Sequence, residues 1–159
     1  WFSDEGSGRW LGMKTVQLFS KQSDGRIKKG PLHRLMREHL SLEYDEDIID
    51  LFENEYLSQR DKIASLQRVL LEAAKAGDES ATDAYKEAAM ELAEVVKGVK
   101  DKLFPNETCP VAYSGGIFKV GDLVLKPFRE SIEAMGMTMT EPKAEPYVGA
   151  ALLAIEKFR

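Results

Sequence analysis

Several residue types that build common functional sites are scarce in this sequence. One cysteine, Cys109, excludes an internal disulfide, and alone it cannot hold a zinc ion or an iron–sulfur cluster. The two histidines, His33 and His39, are six residues apart, so they do not share a helix face as a pair of metal ligands would, and we expect both at the surface. The low cysteine content predicts a reducing, cytoplasmic setting.

Long apolar runs and an excess of basic residues are also missing. No run approaches the roughly 20 apolar residues that span a bilayer, so no membrane partner is expected. The chain has 22 basic and 27 acidic residues, a net charge of −5, and its basic residues form no stripe interleaved with aromatics. A nucleic-acid partner is therefore not expected. Acidic residues concentrate between Glu43 and Glu55, which indicates a solvated helix face.

What is present is the composition of an ordinary globular domain. With 43% hydrophobic and 31% charged residues, 159 residues suit one domain, residues 1–159, with a core of ordinary size. The sequence begins at Trp1 without an initiator Met, and a motif is already under way at the fourth residue. We therefore expect this domain to be a piece of a longer protein.

Helical periodicity covers most of the chain. A loop at residues 3–8 runs into a first helix, and Pro31 begins a second. One helix from Asp61 to Gly77 and a longer helix from about Ala81 to Phe104 form a hairpin, with Ser80 as the cap of the longer helix. The longer helix is expected to bury apolar side chains that include Val95, Val96 and Val99.

The stretch from residue 110 to residue 119 breaks the helical pattern. A short apolar run, Val111 to Tyr113, predicts a strand, and the pair Gly115–Gly116 predicts a tight turn before a helix that begins near Asp122. Met137 to Thr140 predicts a second strand, parallel to the first because a helix separates them. The predicted fold is a helix-rich α/β fold with a short parallel sheet covered by helices, ending in a helix over residues 148–155.

Two features have both a structural and a functional interpretation. The glycine pair fits a plain connection in an α/β fold, and it also fits a site where a ligand approaches the backbone closely. Asp4, or Ser3, fits a helix N-cap, and Asp4 also fits a hydrogen-bonding site for a sugar hydroxyl. The residues by themselves leave these alternatives open.

Four segments in order resemble the C-terminal half of the N-acetylglucosamine kinase and BadF/BadG/BcrA/BcrD ATPase family of the actin-like superfamily. They are residues 4–12 (Asp-Glu-Gly-Ser-Gly-x-Trp-Leu-Gly), residues 63–78, residues 114–119 (Ser-Gly-Gly-Ile-Phe-Lys) and residues 146–154. The resemblance covers almost the whole chain. It implies part of a ribonuclease H-like, actin-like ATPase lobe, the C-terminal lobe of a two-lobed enzyme that binds ATP between its lobes.

The resemblance also implies roles for individual residues. Asp4 matches an aspartate that binds sugar hydroxyls, with Glu5 and Gly6 beside it. Ala64 matches a small residue against the nucleotide, and Gly115 and Gly116 match the glycine pair on which adenosine lies. The residues that lead into the next helix, Ile117 and Phe118, complete the implied nucleotide site. The implied ligands are ATP, a sugar and Mg²⁺.

The N-terminal lobe of such enzymes supplies the phosphate loop, most of the Mg²⁺ site and the catalytic base, and nothing in this sequence matches it. We therefore expect no catalytic residue in this chain and no phosphate transfer by this chain alone. Ser3 departs from the family, in which a glycine precedes the Asp-Glu-Gly-Ser motif. A sheet without its flanking strands would have an open edge, which favours a homodimer.

The leading functional hypothesis is an ATP-dependent carbohydrate kinase, with an amino sugar as the acceptor. An ATPase that activates a 2-hydroxyacyl-CoA dehydratase or an aromatic-CoA reductase shares the implied fold. Such activators bridge a cluster with cysteines, and Cys109 next to Pro110 fits the entry of a strand instead. A third hypothesis is a helical interaction module in which the glycines only make turns.

Overall fold

A computed structural model describes residues 4–158 and shows helices packed around a short sheet. In chain order its helices and strands are α1 (Gly8–Ser23), α2 (Pro31–Leu40), α3 (Ile48–Leu51), α4 (Arg60–Ser65), α5 (Gln67–Lys75), α6 (Glu79–Leu103), β1 (Pro110–Ala112), α7 (Asp122–Ala134), β2 (Thr138–Thr140) and α8 (Pro146–Lys157). Short turns of 3₁₀ helix lie at Asp45–Asp47 and Gly116–Val120, and a π-helical turn lies at Phe52–Tyr56. The predicted helix-rich α/β fold is confirmed.

In the described part of the chain the sheet consists of β1 and β2, which run parallel as predicted. Val111 pairs with Met139, and α7 makes the crossover between the strands. The first strand begins and ends one residue earlier than predicted, so Tyr113 is the first residue after β1. Because the strands are parallel, the chain leaves both of them at the same edge of the sheet.

The core lies where α1, α2, α5 and α6 meet, and it continues under α7 and the sheet. Its fully buried large side chains include Leu11, Phe19, Leu32, Met36, Leu66, Leu70, Tyr85 and Ile132. Helices α1 and α4 approach closely at Gly12, where a Cβ atom would lie 1.9 Å from the carbonyl oxygen of Ile63. A side chain at this position would therefore force the two helices apart.

The helix predicted from Asp61 to Gly77 is interrupted. Helix α4 ends at Ser65, and α5 begins at Gln67. Between them the Leu66 N–H donates to the Ile63 carbonyl, an i to i−3 bond that tightens the backbone. Leu66 keeps right-handed helical backbone angles and is completely buried, so the interruption is one tighter turn in a helical path whose apolar face still points into the core.

Asp78 caps α6, and the prediction that Ser80 does so is wrong. Asp78 Oδ1 accepts from the Ala81 N–H at 3.0 Å and from the Ser80 hydroxyl at 2.6 Å. Asp78 Oδ2 accepts from the Leu32 N–H at 2.9 Å and from Gln22 Nε2 at 3.0 Å. Burial raises the pKa of Asp78, but these hydrogen bonds outweigh it and hold the pKa below its ordinary value. One buried carboxylate therefore ties α6 to α1 and α2.

His33 is the histidine for which the surface prediction is wrong. Its ring stacks on Phe19 with centroids 5.3 Å apart, and its Nε2 lies 2.7 Å from Asp45 Oδ2. Only 13% of its side chain is exposed. His39 is exposed, as predicted.

Two apolar surfaces lie open in the described part of the chain. Val95 and Val99 of α6 were predicted to be buried and are 60% and 47% exposed, whereas Val96 is partly buried. No residue of α8 is buried, and its Leu152 and Leu153 are more than 60% exposed. The burial prediction for Val95 and Val99 failed because the apolar face of α6 extends beyond the elements that pack on it.

Candidate functional site

A cleft of about 510 Å³ opens where the chain leaves β1 and β2. One wall is the segment after β1, and the other is the loop between β2 and α8. The lining residues are Tyr113, Ser114, Gly115, Gly116, Phe118, Lys119, Pro142, Ala144, Glu145 and Pro146. Parallel α/β sheets bind ligands in such crevices, outside the carboxyl ends of their strands.

The two glycines of the cleft have different structural roles. Gly115 has a φ of +121°, a conformation that L side chains rarely adopt, so the backbone itself favours glycine there. Gly116 begins the 3₁₀ turn, and its φ lies outside the left-handed region. A Cβ atom at Gly116 would meet nothing within 4 Å. Neither backbone conformation nor packing therefore accounts for glycine at position 116.

Aromatic side chains anchor this wall to the core. The ring centroid of Phe118 lies 5.0 Å from that of Tyr113 and 5.4 Å from that of the buried Phe128. Ile117 packs against the core and is not among the residues that line the cleft. The structure therefore gives Phe118 both a lining and an anchoring position, and it gives Ile117 an anchoring position.

The sequence interpretation assigned no site role to several residues that line the cleft. Tyr113 follows β1, and its hydroxyl donates to Glu141 Oε2 at 2.5 Å. This hydrogen bond, followed by burial, raises the pKa of Tyr113. Lys119 and Glu145 bring one charge of each sign to the lining. The signal that could have found these residues is their position directly after two predicted parallel strands.

Asp4 lies in a separate corner, where it forms two ion pairs. Its Oδ1 is 2.6 Å from Arg60 Nη2, and its Oδ2 is 3.3 Å from Arg9 Nη1. The cap of α1 is Ser7, whose Oγ accepts from the Trp10 N–H, so the N-cap interpretation of Asp4 is wrong. The alternative cap, Ser3, lies outside the described residues. A carboxylate has about four acceptor positions, so Asp4 retains acceptor capacity for a ligand.

The neighbours of Asp4 differ in what the structure explains. Glu5 is exposed. Gly6 is buried with a φ of +75°, and a Cβ atom there would lie 2.8 Å from Leu92 Cγ and 2.9 Å from the Ala88 carbonyl oxygen. Close packing on α6 therefore accounts for glycine at position 6 without any ligand.

Ala64 is partly buried on α4, which packs against α1. It is not among the residues that line the cleft. The same helix supplies Arg60 to Asp4. The structure thus brings Gly115, Gly116 and Phe118 together at the cleft, and it places Ala64 on the helix that carries the partner of Asp4.

The described residues do not complete a metal centre. The cleft lining contains one carboxylate, that of Glu145. Residues 4–158 contain no group of three or more His, Cys, Asp or Glu side chains that could hold a metal ion. A Mg²⁺ ion at this cleft would therefore need ligands beyond the described residues.

Among residues 4–158, no helix is both long enough and apolar enough to cross a membrane.

Known sequences with similarity to this chain include two sugar kinases. An N-acetyl-D-glucosamine kinase of Dictyostelium discoideum is 29% identical over 158 residues, which cover 96% of this chain and 49% of the relative. An N-acetylmuramic acid/N-acetylglucosamine kinase of Clostridium acetobutylicum is 29% identical over 154 residues, which cover 95% of this chain and 50% of the relative. The chain thus spans about half the length of these curated relatives.

A crystal structure of a candidate N-acetylglucosamine kinase from Chromobacterium violaceum has a similar fold. The TM-score is 0.69 at 26% sequence identity, over 94% of this chain and 47% of the crystallised one. The model of the BadF/BadG/BcrA/BcrD ATPase family matches residues 1–154. Since this match covers nearly the whole sequence, the chain belongs to the BadF/BadG/BcrA/BcrD ATPase family.

Proposed function

We propose that this chain is the nucleotide-binding C-terminal portion of an ATP-dependent carbohydrate kinase that acts on N-acetylglucosamine or a related amino sugar. The observation that carries the proposal is the open corner at Gly116, in a cleft at the carboxyl edge of a parallel sheet. Membership of an ATPase family supports ATP as the ligand. The named activities of the two curated relatives support an amino sugar as the acceptor.

The cleft residues suit the adenosine end of ATP. Gly115 and Gly116 leave backbone exposed on which a nucleoside can lie, while Ile117 and Phe118 fix the turn to the core. Lys119 provides a positive charge at the same wall. The volume of about 510 Å³ is in the range of small-molecule sites.

The acceptor sugar is assigned to the corner of Asp4, Glu5 and Gly6. Arg60 and Arg9 hold the Asp4 carboxylate in place, which suits a residue that must present an oxygen in a fixed direction. Ala64 of α4 is assigned to nucleotide binding, as the family resemblance implies. Sugar kinases gain most of their rate from positioning and charge neutralisation, so in this assignment the chain contributes binding and orientation. We assign the catalytic base and most Mg²⁺ ligands to a further lobe.

The decisive test of the nucleotide site is a pair of matched substitutions. Gly116→Val places a branched side chain in the cleft without a clash in the folded protein, because nothing lies within 4 Å of the new Cβ. Gly98→Val makes the same change on the exposed part of α6, where the new Cβ also meets nothing. Isothermal titration should show at least tenfold weaker ATP binding for Gly116→Val, which corresponds to a loss of about 1.4 kcal/mol in binding free energy.

Gly98→Val should bind ATP like the unmodified chain. Circular dichroism should show that both variants are folded. If Gly116→Val binds ATP with unchanged affinity, the nucleotide assignment of the glycine pair is wrong, and the pair serves only the turn.

A further inference from the structure

The hydrogen bond between Tyr113 and Glu141 joins the two walls of the cleft. Tyr113 is the first residue after β1, and Glu141 is the first residue after β2. The wall that contains Gly115 and Gly116 continues from Tyr113, and the wall from Pro142 to Pro146 continues from Glu141. The contact therefore lies at the base of both walls.

The partners make this contact a charge-assisted hydrogen bond. The Tyr113 hydroxyl donates to a carboxylate oxygen at 2.5 Å, the short distance that is typical of a charge-assisted bond. The Tyr113 ring also contacts Phe118, whose ring contacts the buried Phe128. The ring is thus held from two directions, by the core on one side and by the opposite wall at its hydroxyl.

In the described residues, the hydrogen bond between Tyr113 and Glu141 lies outside the buried core. Glu141 is exposed, and Tyr113 is partly exposed and lines the cleft. A contact in solvent adds little to folding stability. Because the bond joins the two walls, it suits a role in setting the width of the cleft. It also suits a role in fixing the orientation of the Tyr113 ring that a ligand would contact.

We propose that Tyr113 is a nucleoside-contacting residue of this cleft, and that Glu141 is a positioning residue that acts through the Tyr113 hydroxyl. This inference rests on the proposed nucleotide site. An aromatic ring provides a flat surface for any base and supplies no hydrogen-bond readout by itself. Tyr113 therefore contributes affinity for the nucleoside part of the ligand, and the Glu141 contact keeps the ring and the second wall at the spacing that binding requires.

The test measures the affinities of ATP, ADP and adenosine by isothermal titration for five variants of the chain. Tyr113→Ala removes the ring and should weaken all three ligands at least tenfold, because the lost contact is to the nucleoside. Tyr113→Phe keeps the ring and should restore part of the affinity, remaining three- to tenfold weaker than the unmodified chain. Glu141→Ala should match Tyr113→Phe.

The double variant Tyr113→Phe/Glu141→Ala should be no weaker than the weaker of its two single variants, since both remove the same hydrogen bond. Tyr44→Phe changes an exposed tyrosine that does not line the cleft and should bind like the unmodified chain. The unfolding midpoints without ligand should agree within a few degrees, which separates positioning of the ligand from a structural role.

The inference is overturned if Tyr113→Ala keeps its affinity for adenosine, or if the losses from Tyr113→Phe and Glu141→Ala add in the double variant. Unchanged affinity in these variants, with ATP still bound by the unmodified chain, overturns the inference and leaves the proposed function standing. If the unmodified chain binds none of the three ligands, the proposed function fails and this inference fails with it.

Discussion

Asp78 shows how much one side chain can organise. Its two carboxylate oxygens accept four hydrogen bonds, from the backbone of α2 and α6 and from the side chains of Gln22 and Ser80. Only 3% of the residue is exposed. Removing the carboxylate would leave several of these donors buried without a partner, which is more costly than losing an ordinary cap.

We therefore expect Asp78→Ala to lower the free energy of unfolding by about 2–4 kcal/mol. Urea denaturation at neutral pH measures this change. Asp83→Ala is the matched control on the same helix, because the Asp83 side chain is 69% exposed and pairs only with Lys86 in the described contacts. A change for Asp78→Ala as small as that of the control would show that the network contributes little.

The pH dependence of stability should follow from the same residue. The folded-state pKa of Asp78 lies below its ordinary value. Its contribution is therefore fully present above the unfolded-state pKa, about 3.9, and is lost as the pH falls through the lower folded-state pKa. Urea midpoints between pH 7 and pH 3 should show the unmodified chain approaching Asp78→Ala in acid; a constant gap over this range would contradict the assignment.

Asp4 carries the residue-scale prediction for the sugar. In the full-length enzyme, Asp4→Asn should raise the KM of the sugar, or lower kcat/KM, by about ten- to a hundredfold, because charge-assisted hydrogen bonds contribute roughly 1.5–3 kcal/mol. ATP affinity should change little. Asp83→Asn is the control, since it makes the same change at an exposed aspartate that pairs with Lys86, and it should leave both ligands unaffected. A sugar KM unchanged in Asp4→Asn, or an equal effect on ATP and sugar, would contradict the assignment of Asp4 to the sugar.

At the scale of elements, the sequence predicted those helices and strands that depend mainly on residues close together in the chain. The short apolar run from Val111 to Tyr113, the intervening helix and the alternation at Met137 to Thr140 were enough to predict two parallel strands. The burial of His33 depends on Phe19 and Asp45, which are distant in sequence, so periodicity could not show it. Asp78 and Ser80 are both good cap residues, and only the positions of α1 and α2 decide between them.

Some features of the candidate site were likewise predictable from contiguous sequence, and others depend on the fold. The glycine corner was predictable because it is contiguous in sequence. Tyr113 and Glu141 come together only through strand register, and Arg60 reaches Asp4 from a helix 56 residues away. The close contact of Gly6 with α6 also gives this glycine a structural explanation that the sequence did not show.

The open elements predict self-association, which we propose as a homodimer. The described sheet leaves an unpaired edge on each strand, and α8 presents Leu152 and Leu153 to solvent. Sedimentation of the chain over a hundredfold concentration range should show reversible association. Leu152→Lys together with Leu153→Lys should weaken it without lowering the unfolding midpoint at low concentration, because no α8 residue is buried. A monomer at every concentration would contradict this proposal.

At the scale of the whole molecule, the chain covers about half of each curated kinase that it matches. Our assignment gives it the adenosine wall and one sugar corner of a two-lobed site. The 159-residue chain alone should therefore form no sugar phosphate from ATP, Mg²⁺ and a panel of hexoses and hexosamines, above a control without protein. Appreciable turnover would show that the chemistry does not require a further lobe.

The central claim is that ATP binds at the cleft between the Gly115–Gly116 corner and the Pro142–Pro146 loop. The most direct measurement is the change in backbone amide chemical shifts of the isotopically labelled chain as ATP is added. The account predicts that the largest shifts cluster at residues 113–119 and 141–146, while the exposed part of α6 around Gly98 is unaffected. Saturable shifts that cluster elsewhere, with residues 113–119 unchanged, would contradict it.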